Sequence, residues 1–221
     1  MEKNIGSQIE IAPMFSTPVA RLRVPNADEL NPVLEAAILK REAEQGGVHK
    51  TNIGGWHSDF DLIEWPEVVE SGFGRILRDV CHQLIGRQAK ASRFSGQLDL
   101  TAWANVNRKG TYNIRHNHSG SLWSGVYYVR AGDYSAENNN RAGCLQLDDP
   151  RGSINMYTHP GGSNFGASFR IKPEEGLLII FPSWLYHSVN TFQSDTTRIS
   201  ISFNSKFSSF QDNSKTGATG A

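Results

Sequence analysis

The sequence contains little cysteine, no excess of either charge and no long hydrophobic run, and each absence excludes a class of protein. Two cysteines among 221 residues are too few for a disulfide scaffold and fit a reducing compartment. The 22 basic residues balance the 22 acidic ones, and no basic run could neutralise a series of phosphates. We therefore expect neither a disulfide-rich secreted protein nor a protein that binds nucleic acid without regard to base sequence.

The apolar segments are also short. The longest, residues 177–182, falls far below the roughly 20 residues that a membrane-spanning helix requires. The first residues include Glu2, Ser7 and Glu10 and lack the apolar core of a secretory signal. These observations predict a cytoplasmic protein with no membrane partner.

Large side chains are plentiful, with five Trp, six Tyr and 11 Phe in a chain that is 38% hydrophobic. This composition is typical of a folded protein with a sizeable core. All-β domains often reach this length without dividing. We therefore predict one domain over residues 1–207, with helical support at about 28–88, a β core at about 97–207 and a flexible tail at 208–221.

Two stretches near the N-terminus have helical periodicity. The first, residues 28–45, carries apolar residues at helical spacing. The second begins at Pro66, a residue suited to the first turn of a helix, and continues until Gly86. An exposed aromatic helix face around Trp65 or Phe73 would offer a contact for a homodimer.

Short β segments dominate the rest of the chain. An opening strand is predicted within residues 11–24, and from residue 97 onward short apolar runs alternate with Gly-, Pro- and Asn-rich turns. The predicted runs are 98–106, 112–116, 121–130, 144–147, 168–171, 176–181, 185–189 and 198–203. About eight strands preceded by helices predict a mainly β fold, a double-stranded β-helix (cupin-like jelly roll) buttressed by helices.

Histidines mark the ends of two predicted strands. His116 and His118 lie two residues apart, so both can point to the same side of a strand, and His187 follows about 70 residues later. Imidazoles that converge in a barrel suit Fe, Zn, Cu or Ni. We predict a metal site at these three residues.

Arg198 follows His187 by 11 residues, within a predicted inner strand. A guanidinium cannot shed its proton, so its burial among apolar residues is costly unless an anion accompanies it. Arginine binds a carboxylate through two parallel hydrogen bonds, and Ser200, on the same face of the strand, can donate another. A dicarboxylate is therefore a fitting partner.

The order of these motifs resembles the 2-oxoglutarate/Fe(II) oxygenase superfamily, in particular a subgroup of largely uncharacterised members. The resemblance extends from the region of Trp56 to about Phe203. It rests on the segments Trp103-Ala104-Asn105, Ser121-Leu122-Trp123-Ser124-Gly125-Val126-Tyr127-Tyr128, Phe181-Pro182-Ser183-Trp184-Leu185-Tyr186-His187 and Arg198-Ile199-Ser200.

The resemblance implies a non-haem dioxygenase in which His116 and His187 bind Fe(II). Arg198 with Ser200 would hold the distal carboxylate of the co-substrate 2-oxoglutarate, and the expected outcome is hydroxylation of an unknown small-molecule or protein substrate. Asn105 and one of two adjacent tyrosines, for which we select Tyr127, are further candidates for contact with the co-substrate. Arg151 is an alternative carboxylate partner.

The sequence departs from the family pattern at the third ligand. The family usually places Asp or Glu two residues after the first histidine, where this chain has His118. Three alternatives remain: His118 completes a three-histidine site, water or halide fills the position, or a remote acid such as Asp148 or Asp149 supplies the ligand.

Two rival functions retain the fold. One is a three-histidine cupin dioxygenase that uses no 2-oxoglutarate, against which Arg198 and Ser200 argue. The other is a non-catalytic jelly-roll module that binds a small ligand, in which the histidines make only hydrogen bonds and no stoichiometric metal is bound.

Overall fold

The computed structural model describes residues 15–88, 94–133, 141–151 and 168–212, which form three helices and 11 strands. Their bounds are β1 Ala20–Arg23, α1 Ala27–Glu44, β2 Asn52–Ile53, β3 Trp56–His57, α2 Pro66–Ser71, α3 Phe73–Gln88, β4 Phe94–Asn107, β5 Tyr112–His116, β6 Trp123–Arg130, β7 Leu145–Asp148, β8 Ser168–Ile171, β9 Leu177–Pro182, β10 His187–Val189 and β11 Arg198–Asp212. A short 3-10 turn, Leu62–Glu64, precedes α2.

The strands form two antiparallel sheets. The larger has the order β1-β9-β6-β11-β4-β3, and the smaller has the order β2-β5-β10-β7-β8. Apart from the pairs β3–β4 and β7–β8, neighbouring strands are not consecutive in the chain, as in a jelly roll. The predicted fold class, a double-stranded β-helix buttressed by N-terminal helices, is confirmed.

The larger sheet packs against apolar residues on both of its faces. The side chains of strand β6 are divided between these two faces. Tyr127 and Val129 belong to the apolar cluster that the sheet shares with the helices. Val126 and Tyr128 belong to the cluster between the two sheets. Because successive side chains of a strand alternate between faces, a single strand supports the helical layer and lines the space between the sheets.

The helices follow the predicted pattern with two differences. Helix α3 continues through Gly86, where the sequence predicted its end, to Gln88. The second helical stretch is divided into α2 and α3 at Gly72, whose φ of 73° is the left-handed conformation that commonly ends a helix. Trp65 and Phe73 are both buried in the core beneath the helices. Neither can therefore provide the exposed dimer contact that the sequence suggested.

The bounds of the first and last strands also differ from the prediction. Strand β1 occupies only the last part of the predicted segment 11–24, of which residues 11–14 lie outside the described residues. Strand β11 continues to Asp212, paired with β4 along its length. Residues 208–212, which we assigned to a tail, therefore belong to the sheet, and residues 213–221 lie outside the described part. None of the described helices combines the length and apolar character needed to cross a membrane.

Candidate functional site

A cavity of about 260 Å³ lies between the two sheets. Strands β4, β6, β9 and β11 of the larger sheet and β5, β7 and β10 of the smaller sheet contribute to its lining, together with residues in or next to the edge strands β2 and β3. Both motifs predicted from the sequence line it, the three histidines and the Arg198 to Ser200 segment. The fold therefore brings into one pocket two groups that are far apart in the sequence.

His116, His118 and His187 form a compact cluster at this cavity. One potential ligand nitrogen from each lies within 4.8 Å of the others. The ring centroids of His116 and His187 are 4.3 Å apart because these residues are direct partners in the pairing of β5 with β10. His118 lies beyond the end of β5, where its backbone N–H donates to the carbonyl of Ser183 at 2.9 Å. The chain therefore presents three converging imidazoles.

Hydrogen bonds orient two of the three rings. Nδ1 of His116 lies 2.7 Å from the carbonyl oxygen of Ile114, and Nδ1 of His187 lies 2.9 Å from that of Leu185. A carbonyl oxygen can only accept, so each Nδ1 carries the proton and each Nε2 keeps a free lone pair. This is the arrangement commonly found around histidines that bind metals.

Burial keeps the three imidazoles neutral. It lowers the pKa of His187 to about 3 and that of His118 to about 4, and the charge of the neighbouring His116 acts in the same direction. Burial also lowers the pKa of His116. Neutral imidazole is the form that donates to a metal, so no imidazolium proton has to leave before the cluster binds one at neutral pH.

The second group centres on Arg198, of which only 1% is exposed. Its Nη1 donates to Oδ1 of Asn107 at 2.9 Å and to Oγ of Ser200 at 3.2 Å, both neutral acceptors. Its Nε is buried without a hydrogen-bond partner, and no carboxylate of the described residues forms an ion pair with it. A buried charge in this state is costly unless an anion binds to it.

Tyr128 is the tyrosine that faces this group, and the selection of Tyr127 was wrong. The Arg198 guanidinium lies 5.2 Å from the centroid of the Tyr128 ring, and the buried Tyr128 hydroxyl has no hydrogen-bond partner among the described residues. Tyr127 points instead into the helical layer, where its hydroxyl donates to Oδ1 of Asn31 at 2.6 Å. Strand alternation separates the two, but it could not tell from the sequence which tyrosine faced inward.

Of the remaining predicted residues, one lines the cavity and the others do not. Asn105 lines the cavity, and its Nδ2 donates to Oγ of Ser202 at 3.1 Å. Asp148 pairs with Arg115 on the outer side of the smaller sheet, and Asp149 pairs with Arg151. None of these two carboxylates and two arginines is among the described residues that line the cavity. The structure therefore does not support a remote acid as the third metal ligand or Arg151 as the carboxylate partner.

Sequence reasoning missed an aromatic wall beside the histidines. The His57 ring stacks on Trp103 at 5.6 Å, Phe60 meets both rings edge to face, and Trp103 reaches His118 at 5.7 Å. Lys50 lines the same side of the cavity. The local signal was the cluster of polar and aromatic residues at positions 50–60, between the two predicted helical stretches.

Comparison with known families connects this pocket with a chemistry. A family model described as "Putative 2OG-Fe(II) oxygenase" matches residues 101–204, the segment that carries both the histidines and Arg198. No curated protein matches the chain.

Solved structures share the fold at low sequence identity. A prolyl-4-hydroxylase from Pseudomonas putida is 16% identical, with 86% of this chain and 93% of that chain covered and a TM-score of 0.60. A prolyl hydroxylase from Trichoplax adhaerens, solved with a hypoxia-inducible-factor peptide, is 14% identical over 85% and 83%, with a TM-score of 0.58. The epimerase SnoN of nogalamycin biosynthesis, solved with Fe³⁺ and α-ketoglutarate, is 12% identical over 93% and 88%, with a TM-score of 0.63. These likenesses establish the jelly-roll fold.

Proposed function

We propose that this chain is an Fe(II)- and 2-oxoglutarate-dependent dioxygenase that hydroxylates its substrate. The match of residues 101–204 to the 2OG-Fe(II) oxygenase family model supports the proposal. The histidine cluster is the proposed iron site, and the Arg198 group is the proposed site for the distal carboxylate of 2-oxoglutarate. The two sites line one cavity, as a co-substrate that contacts both would require.

The donor set fits iron. His116 and His187 each direct an unprotonated Nε2 away from their backbone partners, and His118 supplies the third imidazole. Imidazole binds Fe(II) well, and a three-nitrogen face leaves coordination positions for a chelating co-substrate. With His118 in place of the usual carboxylate, the protein ligands carry no charge, so the site keeps the full double charge of the metal.

The buried guanidinium is the observation that carries the proposal. Arg198 has neutral acceptors on one side and an unpartnered Nε, and the unpartnered hydroxyl of Tyr128 lies beside it. The Ser200 hydroxyl accepts from Arg198 and so keeps its own proton free to donate. A carboxylate placed here would receive charge-assisted hydrogen bonds from Nε of Arg198 and from the Tyr128 hydroxyl, which otherwise have none, and one more from the Ser200 hydroxyl.

The rest of the pocket would orient the reactants and exclude water. Val126, Leu145, Phe181 and Val189 give the cavity apolar walls, which protect a reactive centre from side reactions. Iron and 2-oxoglutarate, when bound, would supply the oxidising chemistry with dioxygen as the oxidant: one oxygen atom of O2 converts a substrate C–H bond to C–OH, and the other enters the succinate that is released together with CO2. The protein holds the metal, fixes the co-substrate through Arg198 and keeps the site dry.

An anaerobic titration of the Fe(II)-loaded protein with 2-oxoglutarate tests the proposal. Chelation by the keto acid produces a weak visible metal-to-ligand band, which we expect to saturate in the wild type. Arg198→Met should retain iron and lose the band at the same co-substrate concentrations. Arg170→Met, which removes an exposed arginine on strand β8, is the matched control and should behave as the wild type does.

Two other results of this experiment would each support one of the rival functions. Iron-loaded protein that never develops the band would support a three-histidine dioxygenase whose substrate binds the metal directly. Protein that binds no stoichiometric metal would support a jelly-roll module for a small ligand.

A further inference from the structure

The rim of the cavity on the side of β2 and β3 carries an unpaired cation beside an apolar surface. The Lys50 ammonium lies 5.8 Å from the centroid of the Phe60 ring, and its charge also acts on His57. Lys50 forms no ion pair with any residue in the described part of the chain. Phe60 is 41% exposed, although it packs against His57 and Trp103. Both groups are therefore available to a molecule that enters the cavity.

The aromatic wall leads from this rim to the proposed metal site. Phe60 contacts Trp103, and Trp103 in turn contacts His118, with ring centroids 5.2 and 5.7 Å apart. Arg198 lies elsewhere in the cavity, against Tyr128 and Asn107. A molecule lying on the wall would thus be next to the iron ligands without occupying the space beside Arg198.

The charges of the cavity favour an anion in that position. Among the described residues that line it are two cations, Lys50 and Arg198, and not one Asp or Glu. Asp59 is close enough to His57 to act on its pKa but does not line the cavity. Under the proposed function, a divalent iron with neutral ligands adds two positive charges and 2-oxoglutarate removes two. The cavity would then keep a net charge of +2, and Lys50, unlike Arg198, would still have no anionic partner.

We propose that the substrate is a small carboxylic acid with an apolar or aromatic body. Its carboxylate binds the Lys50 ammonium, and its body lies along Phe60 and Trp103 toward His118. This inference rests on the proposed function, which supplies the metal and co-substrate. The cavity of about 260 Å³ lies just below the usual range for ligand pockets and must also hold 2-oxoglutarate, so the part of the substrate inside it is small.

Anaerobic calorimetry with two matched probes tests the proposal. Fe(II)-loaded protein is first saturated with 2-oxoglutarate and then titrated with 3-phenylpropionate or with its uncharged amide. We expect the acid to bind at least about tenfold more tightly than the amide, since a charge-assisted contact of this kind is worth a factor of that order. Lys50→Met should remove the preference, whereas Lys109→Met should keep it because Lys109 is paired with Asp195.

Three results would overturn the proposal: equal binding of acid and amide by the wild type, a preference that survives Lys50→Met, or binding of neither probe. Phe60→Ala should weaken both probes alike, because it removes apolar surface and no charge. Failure of the proposed function would appear in the first step, as absent 2-oxoglutarate binding, and so differs from failure of the substrate inference.

Discussion

The side-chain amide nitrogen of Asn204 lies 3.4 Å from Nδ1 of His118, and Oδ1 of the same amide accepts from the Ser124 hydroxyl at 2.7 Å. With the amide oriented in this way, Nδ1 of His118 is the acceptor and the ring proton is on Nε2. If His118 is to donate to iron through Nε2, the amide must turn so that Oδ1 accepts from Nδ1. Ser124 can accommodate that turn, because a hydroxyl can also accept.

Asn204 should therefore control metal affinity without being a ligand. Asn204→Leu removes the hydrogen bond to His118 that either orientation of the amide could make. It should weaken Fe(II) binding about tenfold or more, the usual effect of losing a hydrogen-bond partner of a ligating histidine. Asn204→Asp keeps an acceptor for Nδ1–H and should retain the affinity. Competitive titration against a metal-binding dye measures both, and equal affinities in the two variants would dismiss this role for Asn204.

Arg198 should destabilise the folded protein in the absence of 2-oxoglutarate and contribute to its stability when 2-oxoglutarate is bound. Because its charge is buried without an anion, Arg198→Met should leave the metal-free protein as stable as the wild type or more stable. In the iron-loaded wild type, 2-oxoglutarate at about 100 times its Kd should add roughly 2.7 kcal/mol of stability, or about 5–10 °C in Tm. Thermal unfolding with and without 2-oxoglutarate measures this effect, and a variant that keeps the full shift would contradict the assignment.

The two adjacent tyrosines should respond in opposite ways to loss of the hydroxyl. Tyr128→Phe should weaken 2-oxoglutarate binding about tenfold and barely change folding, because its hydroxyl has no partner in the described protein. Tyr127→Phe should leave 2-oxoglutarate binding unchanged and lower the free energy of unfolding by about 1 kcal/mol, because Asn31 loses its donor. Urea denaturation and the anaerobic titration measure the pair, and the reverse result would restore Tyr127 to the site.

Cys81 should make the fold sensitive to alkali. Burial raises the pKa of its thiol to about 11, from 9.0 for an ordinary cysteine. Above pH 9 the unfolded chain loses this proton before the folded one does, so the stability from this group is complete below pH 9 and is lost as pH rises toward 11. Cys81→Ala should therefore show a smaller drop in the free energy of unfolding between pH 8 and pH 10.5 than the wild type. Equal drops in urea denaturation would contradict this expectation.

The sequence alone was sufficient to predict the fold class and to select the three histidines and Arg198 as candidate site residues. Local patterns carry this information: period-two alternation identifies strands, helical spacing identifies α1, and a histidine or arginine at a strand end is visible without a structure. The boundary between α2 and α3, which the sequence did not predict, depends on the single residue Gly72. The absence of a Cβ atom permits its left-handed conformation but does not require it.

Tertiary structure alone decided which side of each strand faces the cavity and what completes its rim. Alternation separates Tyr127 from Tyr128, but only the positions of the neighbouring sheet and helices determine which of them meets Arg198. Strand β5 even breaks the alternation, because a bulge shifts its pairing with β10 and brings both Asn113 and His116 to the cavity. Lys50 and Phe60 line the same cavity as the three histidines because β2 and β3 pair with β5 and β4. Such long-range pairings depend on the whole packed core, and no local pattern in the sequence records them.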